Sequence, residues 1–533
     1  MASSPKHIEL SPEQADSLIE RVKSRRLDEK DYEILIGIIE TVLFLYQALS
    51  QKSHSIQRLL RRIFGIKTES AKNVLKDREE SQAKETDKPQ AAPKEEKERK
   101  KGHGRNGVAC YQGLERFAVA HGTLKAGDRC TLCPKGKVYK MACPATIIRL
   151  TGCAPVGGKI YELERLKCNL CGAVFTADPP AGVGDEKYDA SAGSIICVLK
   201  YGAGLPFYRL EKLQESLSVP LPASTQWDIA EGVADKVHPA FSELIRQGAQ
   251  GDLVQNDDTT GRVISLMKEI SKEEEGSRTG IFTTGVLSTV EGRKIALFFT
   301  GRKHAGENLK DVLEKRAADL HVPLQMCDGL NRNIPKGPKT LECNCLTHAR
   351  RNFVEISSSF PEECRHLVET LGKVYHNDDI AKEKHMSPEE RLEFHKTESG
   401  PLMDELKIWA TDQISQKKVE PNSGLGKAIE YMINRWDKLT RFLQVPGAPL
   451  DNNLCEQILK RAILHRKNSL FFRTEHGAYI GDLFMSLITT CSLCGVNPFE
   501  YITVLQEHSS ELFKDPKKWM PWNYKEALHP APS

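Results

Sequence analysis

From Asp77 to Gly104 alanine is the only apolar side chain, and the segment KETDKPQAAPKEEKERKKGHGRN is built from Lys, Glu, Gln and Pro. Such a stretch cannot bury enough surface to offset the entropy of folding, so the chain must fold in separate pieces on either side of it. Its charges alternate in sign, which reads as a solvated tether over 71–105 rather than a dedicated nucleic-acid tail. A length of 533 residues is material for three or four domains. Lys and Arg number 76 against 72 Asp and Glu, a formal net charge of +4. That near-balance excludes a uniformly basic binder and leaves room for local basic faces. The opening MASSPKHIELSPEQ has no apolar run of the kind a secretory signal needs. The most apolar stretch, Ile34 to Leu49, is interrupted by Glu40 and Gln47 and falls short of a membrane span. A cytoplasmic, reducing setting is therefore the expectation, and fifteen cysteines then need a role other than disulfides.

Residues 1–27 are polar and read as a flexible N-terminus. Over 28–70 the pattern is helical, with Leu35, Val42, Leu49, Ile56 and Ile63 seven residues apart and Ile38, Leu45 and Leu59 three residues after three of them. That is coiled-coil spacing, interrupted by Lys52, and it fits either a self-associating coil or one amphipathic helix packed on its own domain. The helix ends in a basic run, Arg58, Arg61, Arg62 and Lys67.

Within 106–180, Cys130-Thr-Leu-Cys133 and Cys168-Asn-Leu-Cys171 can each present two thiolates on one side of a short loop, and together they can enclose one structural Zn²⁺. The 34 residues between the pairs exceed the usual zinc-ribbon spacing of about 15–20. Cys143 or Cys153 can substitute for one ligand, and free thiols are the plainer reading. Residues 181–250 are mostly helical. Phe207–Leu217, a turn at Ser218–Pro222 and Ser224–Val237 have helix-turn-helix proportions, with Ser224, Thr225 and Gln226 opening the second helix; plain helical packing explains them equally well.

The segment with the most chemistry begins at Leu253-Val254-Gln255-Asn256, a strand that runs into Asp257-Asp258-Thr259-Thr260. Strands at Gly280–Thr289 and Arg293–Thr300, a helix at Glu307–Arg316 and a strand at Pro323–Cys327 ending in Asp328 follow. The order gives a mixed α/β plan with an aspartate at the end of its first and fourth strands and 70 residues between the two. A third acid stands in Leu450-Asp451-Asn452-Asn453-Leu454-Cys455-Glu456. Asn452, Glu456 and Lys460 fall on one face of a predicted helix, and Arg461, His465, Arg466, Lys467 and Arg473 follow. Carboxylates of this kind suit a hard cation such as Mg²⁺ or Mn²⁺, with phosphate and water completing its shell, and two such ions can flank a phosphodiester.

These motifs, taken in order, resemble the IS66-type insertion-sequence transposases across roughly residues 60–525. RRIFGIKTES is similar to the family's FGRKSE segment, the two CxxC pairs to its zinc-binding region, and KYGAGLPFYRLEKL to its KYADHLPLYRQE block. NDDTTGRV stands where the family has ADETPVRV, which assigns the first aspartate to Asp257. LQMCDG matches the second-aspartate strand, CLTHARRNF matches CWAHARRKF, and LDNNLCEQ with HRKNSLFF matches IDNNRAER…GRKNWLF, which assigns the glutamate to Glu456. CGVNPFEYITVL is close to NGVNPYAYLTDVL. Three departures stand out: Asp258 replaces a glutamate, Gln457 an arginine, and Leu330-Asn331 an aromatic-bearing turn.

The resemblance implies a DDE transposase with a ribonuclease-H-like core in two parts, 251–352 and 446–506, around a helical insertion at 353–445, and a C-terminal tail at 507–533. Segments Glu363–Val374, Pro388–His395 and Leu402–Ser415 read independently as helices within that insertion. Asp257, Asp328 and Glu456 would bind two Mg²⁺ or Mn²⁺ ions. Asp258, His348, Arg351, Asn452, Lys460 and Lys467 would support the site, and Arg461, Arg466 and Arg473 would hold DNA. His348 is as easily a cap or core histidine, and Cys343 and Cys345 suggest a metal motif with it that lacks an evident fourth ligand. Cys491 and Cys494 end an apolar helical run and read as buried thiols. The implied partners are double-stranded DNA at element ends and target, further copies of the chain in a dimer or larger assembly, and element-encoded accessory proteins, with no membrane and a nucleoid-associated cytoplasmic location. Two other readings stay open: an end-binding architectural protein that is catalytically silent, and a ribonuclease-H-like nuclease that cuts without joining.

Overall fold

The computed structural model describes residues 186–529 apart from 274–277, together with 153–167, 174–182 and shorter stretches between 18 and 139. Cys130, Cys133, Cys143, Cys168 and Cys171, the 71–105 tether and the basic run at 58–67 lie outside the described residues, as does the predicted coil beyond residue 36. Near the predicted zinc region, β1 (Arg165–Lys167) and β2 (Val174–Thr176) form a short antiparallel pair, and Cys153 is an exposed free thiol.

The main body is a mixed α/β assembly. Helices α1 (Ala190–Cys197), α2 (Phe207–Ser216) and α3 (Ala223–Gly248) precede a five-stranded sheet. Its strands are β3 (Leu253–Thr260), β4 (Phe282–Val290), β5 (Arg293–Gly301), β6 (Leu324–Cys327) and β7 (Leu341–Asn344), with spatial order β5-β4-β3-β6-β7. The first three are antiparallel, whereas β6 and β7 run parallel to β3. Helix α4 (Ile264–Ile270) follows β3, and α5 (Ala305–Leu313) forms the crossover between β5 and β6.

After β7 the chain becomes helical: α6 (Leu346–Ile356), α7 (Pro361–Glu383), α8 (Pro388–Glu398), α9 (Gly400–Ser415) and α10 (Gly424–Ile433). Three of these contain the amphipathic segments expected at 363–374, 388–395 and 402–415. Their apolar faces share one core with β6 and β7, including Leu367, Leu371, Leu406, Ile429, Met326 and Cys343. The chain then returns as α11 (Asn453–Ser469), α12 (Glu475–Leu493) and α13 (Pro498–Glu507).

A second core joins α3, α11, α12 and α13 to β3, β4 and β5. Edge strand β5 would expose unpaired N–H groups. Instead the N–H groups of Ala296, Phe298 and Thr300 donate to the side chains of Thr490, Ser486 and Asp482, which lie four residues apart along α12. That polar stripe explains why a helix read as an apolar run can lie along a strand edge.

Three sequence expectations change. Asp257 is not at a strand end, because β3 continues to Thr260 in register with β4; only its pairing with β6 has stopped by then, the last paired residue being Gln255. Strand β7 was not foreseen and separates the Asp328 turn from α6, since four residues are too few to show a period. The two helices around 218–222 form, with Ser218 at φ +59°, but the Gln226 side chain is fully buried and donates to the carbonyls of Phe207 and Leu221. A base-reading role for Gln226 is therefore excluded by its internal bonds.

Candidate active site

Asp257 lies on β3, and Asp328 directly follows the neighbouring parallel strand β6. Leu253 pairs with Leu324 and Gln255 with Met326, and continuing that offset sets Asp257 beside Asp328. On its other side Asp257 is paired with Gly285 of β4. A Cβ at Gly285 would lie 3.3 Å from the Leu459 side chain, so the missing side chain lets α11 settle close over the sheet at Asp257. Cys455, also on α11, donates its thiol to the Gly285 carbonyl at 3.6 Å. Glu456 is the next residue, on the first turn of that helix.

The three acids share an electrostatic neighbourhood. Burial pushes the Asp257 carboxyl up to about 7, the charges of Asp328, Asp258 and Glu456 add to the rise, and the Asp258 N–H, 2.8 Å from Asp257 Oδ1, opposes it. Asp258 points elsewhere, as alternation along a strand requires. Its side chain is 2% exposed and bonded to His304 Nδ1 at 3.1 Å, with Arg332 at 3.3 Å. It thereby secures the start of α5, and Asp257 is left as the aspartate of the cluster.

Asp328 is held by a device not foreseen from sequence, a set of buried amides. Asn333 Nδ2 donates to Asp328 Oδ1 at 2.7 Å, and the Leu330 N–H donates to the same oxygen at 3.0 Å. The Asn333 carbonyl in turn accepts from Asn256 Nδ2 and Gln325 Nε2, and Gln325 also donates to Asn256 Oδ1. Gly329 turns the chain at φ +80°, where a Cβ would lie 3.0 Å from Asn344. The only sequence signal was the amide pair Gln255-Asn256 between the apolar Leu253-Val254 and the acids Asp257-Asp258.

The remaining candidates divide. His348 Nδ1 lies 3.7 Å from Glu456 Oε1 and Arg351 Nη2 3.9 Å from Oε2, so both reach the cluster. Asn452 precedes α11 rather than sharing its exposed face, and it is fully buried. Its side chain donates to the Asn256 carbonyl at 3.2 Å, and its N–H meets Cys345 Sγ at 3.3 Å. Lys460 and Lys467 are exposed, one and three turns along from Glu456. Arg461 faces away from the acids and donates to Ser492 on α12. Arg466 is bonded to Thr259 and to the Thr260 carbonyl at the end of β3. Both arginines are thus engaged within the protein, whereas Arg473 is exposed beyond α11. His465 packs between Tyr201 and Phe472, and burial lowers it to about 3, so it is a neutral core ring.

The carboxylate cluster suits a hard divalent cation. Glu456 Oε1 is shielded from solvent without a hydrogen-bond partner, and Asp257 is disfavoured as an anion by burial and then by its acidic neighbours, a cost that bound positive charge would offset. Cys345, His348 and Glu456 form a second grouping whose ligand atoms lie within 4.8 Å of one another; here Glu456, not Cys343, joins the pair suggested by sequence. Among the described residues no helix is long and apolar enough to cross a membrane.

A family model described as "Transposase IS66 family" matches residues 187–480, more than half the chain. Similar curated proteins come from Sinorhizobium fredii. The uncharacterized protein y4jD is 31% identical over 186 residues, 34% of this chain and 35% of that protein. The uncharacterized protein y4qI is 26% identical over 351 residues, 62% of this chain and 61% of that protein. The chain thus spans between about a third and three fifths of the length of these relatives.

Proposed function

Because the chain belongs to the IS66 transposase family, we propose that it is a DDE-type transposase that cuts at insertion-sequence ends and joins them to target DNA. The observation that carries this reading is the convergence of Asp257, Asp328 and Glu456 from β3, the β6 turn and α11: burial does most to raise the Asp257 carboxyl, and the charges of Asp328 and Glu456 reach it and add to the rise. The sheet order β5-β4-β3-β6-β7, with two parallel strands beside an antiparallel trio, supports a ribonuclease-H-like core. The helices between Asp328 and Glu456 match the insertion such a core would carry.

Asp257, Asp328 and Glu456 would hold Mg²⁺ or Mn²⁺. Bound there, two ions would neutralise the attacking and leaving oxygens of an in-line displacement. The chain's own contribution is positioning. Asn333 and the Leu330 N–H aim Asp328, Asn452 sets the start of α11 against β3, and Arg351 stands beside Glu456. Lys460 and Lys467 supply exposed positive charge for DNA phosphates. In the first step a water oxygen attacks the phosphorus at the element end, the bond to the 3′ oxygen breaks, and a 3′-OH is freed. In the second, that hydroxyl attacks a target phosphodiester and displaces the target's own 3′ oxygen.

Two ends must be brought together, which requires a dimer or larger assembly, with residues 28–66 as the interface. The two CxxC pairs would bind structural Zn²⁺ in a DNA-binding region, and element-encoded accessory proteins would join the complex. The test uses purified full chain, Mg²⁺ and duplex DNA bearing an element end. Nicked and joined products are expected, both lost in Asp328→Ala. Full strand transfer by Asp328→Ala would overturn the assignment. Nicking without joining would identify a nuclease, and metal-independent binding with no nicking an architectural protein.

A further inference from the structure

Cys345 closes the N-terminal end of α6, and His348 lies three residues further, on its first turn. Glu456 approaches them from α11. One ligand atom from each of the three lies within 4.8 Å of the other two. His348 Nδ1 and Glu456 Oε1 are 3.7 Å apart, both shielded from solvent and both without a hydrogen-bond partner. That separation is too long for a hydrogen bond. Two ligands each about 2 Å from one tetrahedral ion stand roughly 3.3 Å apart, so a small inward shift suffices. The sulfur is also partnered by backbone donors. Cys345 is 1% exposed; burial pushes its thiol up to about 11, the backbone N–H groups of Asn452 and His348 that donate to the sulfur oppose that rise, and the bound ion itself must displace the thiol proton.

Sulfur, imidazole and carboxylate together select a borderline-soft ion and not Mg²⁺, which requires oxygen ligands. We propose that Cys345, His348 and Glu456 form an inhibitory site for a thiophilic divalent cation of the Zn²⁺ class. Binding exchanges the Cys345 thiol proton, released to solvent, for a sulfur–metal bond, and water completes the fourth position. The consequence rests on the transposase reading: while Glu456 serves this site, it is withdrawn from Asp257 and Asp328. One glutamate would then be shared between a hard catalytic centre and a soft inhibitory one.

The site is tested directly with Co²⁺, because only a thiolate ligand gives an intense sulfur-to-cobalt charge-transfer band and the acid cluster alone gives none. Full-length protein with its tight zinc sites filled is titrated with Co²⁺ alone. A band present in the wild type and in Cys153→Ser, absent in Cys345→Ser and shifted to at least about tenfold higher Co²⁺ in His348→Gln is expected. His348→Gln keeps the thiol and separates loss of the site from loss of the fold. Identical titrations in wild type, Cys345→Ser and His348→Gln would overturn the site. In parallel, Zn²⁺ is added to the Mg²⁺-dependent nicking reaction, where half-inhibition should need at least about tenfold more Zn²⁺ in His348→Gln, measured against that variant's own uninhibited rate. Equal sensitivity would overturn the inhibitory role even if the band behaves as expected. If the wild type nicks nothing, the transposase reading fails while the cobalt band still decides the site.

Discussion

The Asn452 side-chain amide donates to the Asn256 main-chain oxygen at 3.2 Å, fastening the start of α11 to the strand that carries Asp257. Because Glu456 lies four residues into that connection, its distance from Asp257 depends on a buried amide that touches no substrate. Asn452→Ala should cost about 1–2 kcal/mol of stability, the usual price of losing one buried hydrogen bond. Its larger effect should be on nicking, with more Mg²⁺ needed for half-maximal rate. Urea unfolding and a Mg²⁺ titration of the nicking rate measure the two effects; an unchanged Mg²⁺ requirement would remove the positioning role.

The two adjacent aspartates should separate cleanly. Asp257→Asn is expected to abolish nicking with little loss of stability, since its carboxyl is disfavoured by burial and by neighbouring acids. Asp258→Asn breaks the pairing with His304 and Arg332 and should lower stability by about 1–3 kcal/mol while leaving measurable Mg²⁺-dependent nicking. Thermal unfolding beside a nicking assay distinguishes them, and the reverse pattern would exchange their roles.

Asp257 and Asp328 were legible because each closes a short strand-like run in the sequence, and Glu456 because its helical LDNNLCEQ motif resembles the family's; the fold brings the three within reach of one another's charge. What supports them was not. Asn256, Gln325 and Asn333 look like polar interruptions until the fold brings them together as one buried amide set. Asp482, Ser486 and Thr490 are single polar residues in an apolar helix, and their spacing gains meaning only against the N–H groups of β5. Arg461 and Arg466 sit in a basic run that suggested DNA, yet helical geometry turns them towards Ser492 and Thr260. Sequence order carries the chemistry of a side chain but not which face of α11 it occupies.

Asp482 gives a pH prediction independent of metal. Burial pushes its carboxyl from 3.8 to about 7, with the bonds from Thr300 opposing the rise. A carboxyl raised in the folded state contributes stability that is full below its unfolded pKa and is lost as pH rises through the folded value. The wild type should therefore lose stability relative to Asp482→Asn between about pH 4 and 8. Melting temperatures of both proteins across that range test it; parallel curves would mean that the Asp482 carboxyl is not raised.

Basic residues on α11 should sort by salt dependence. Lys460→Ala and Lys467→Ala, at exposed positions on the Glu456 side, should each reduce the slope of log binding constant against log salt by about one, without changing stability. Arg466→Ala, which loses bonds to Thr259 and Thr260, should lower stability by about 1–3 kcal/mol and leave the slope unaltered. Filter binding over a salt series, with thermal melts, reads both; a reduced slope in Arg466→Ala would restore it as a phosphate contact.

The central claim, that Asp257, Asp328 and Glu456 are metal ligands for phosphodiester chemistry, is tested most directly by exchanging oxygen for sulfur at one ligand. Mg²⁺ binds thiolates poorly, whereas Mn²⁺ accepts them more readily. Nicking of an element-end duplex by Asp328→Cys should be lost in Mg²⁺ and restored in Mn²⁺, with Asp328→Ala inactive in both. Full activity of Asp328→Cys and Asp328→Ala in Mg²⁺ would contradict the account.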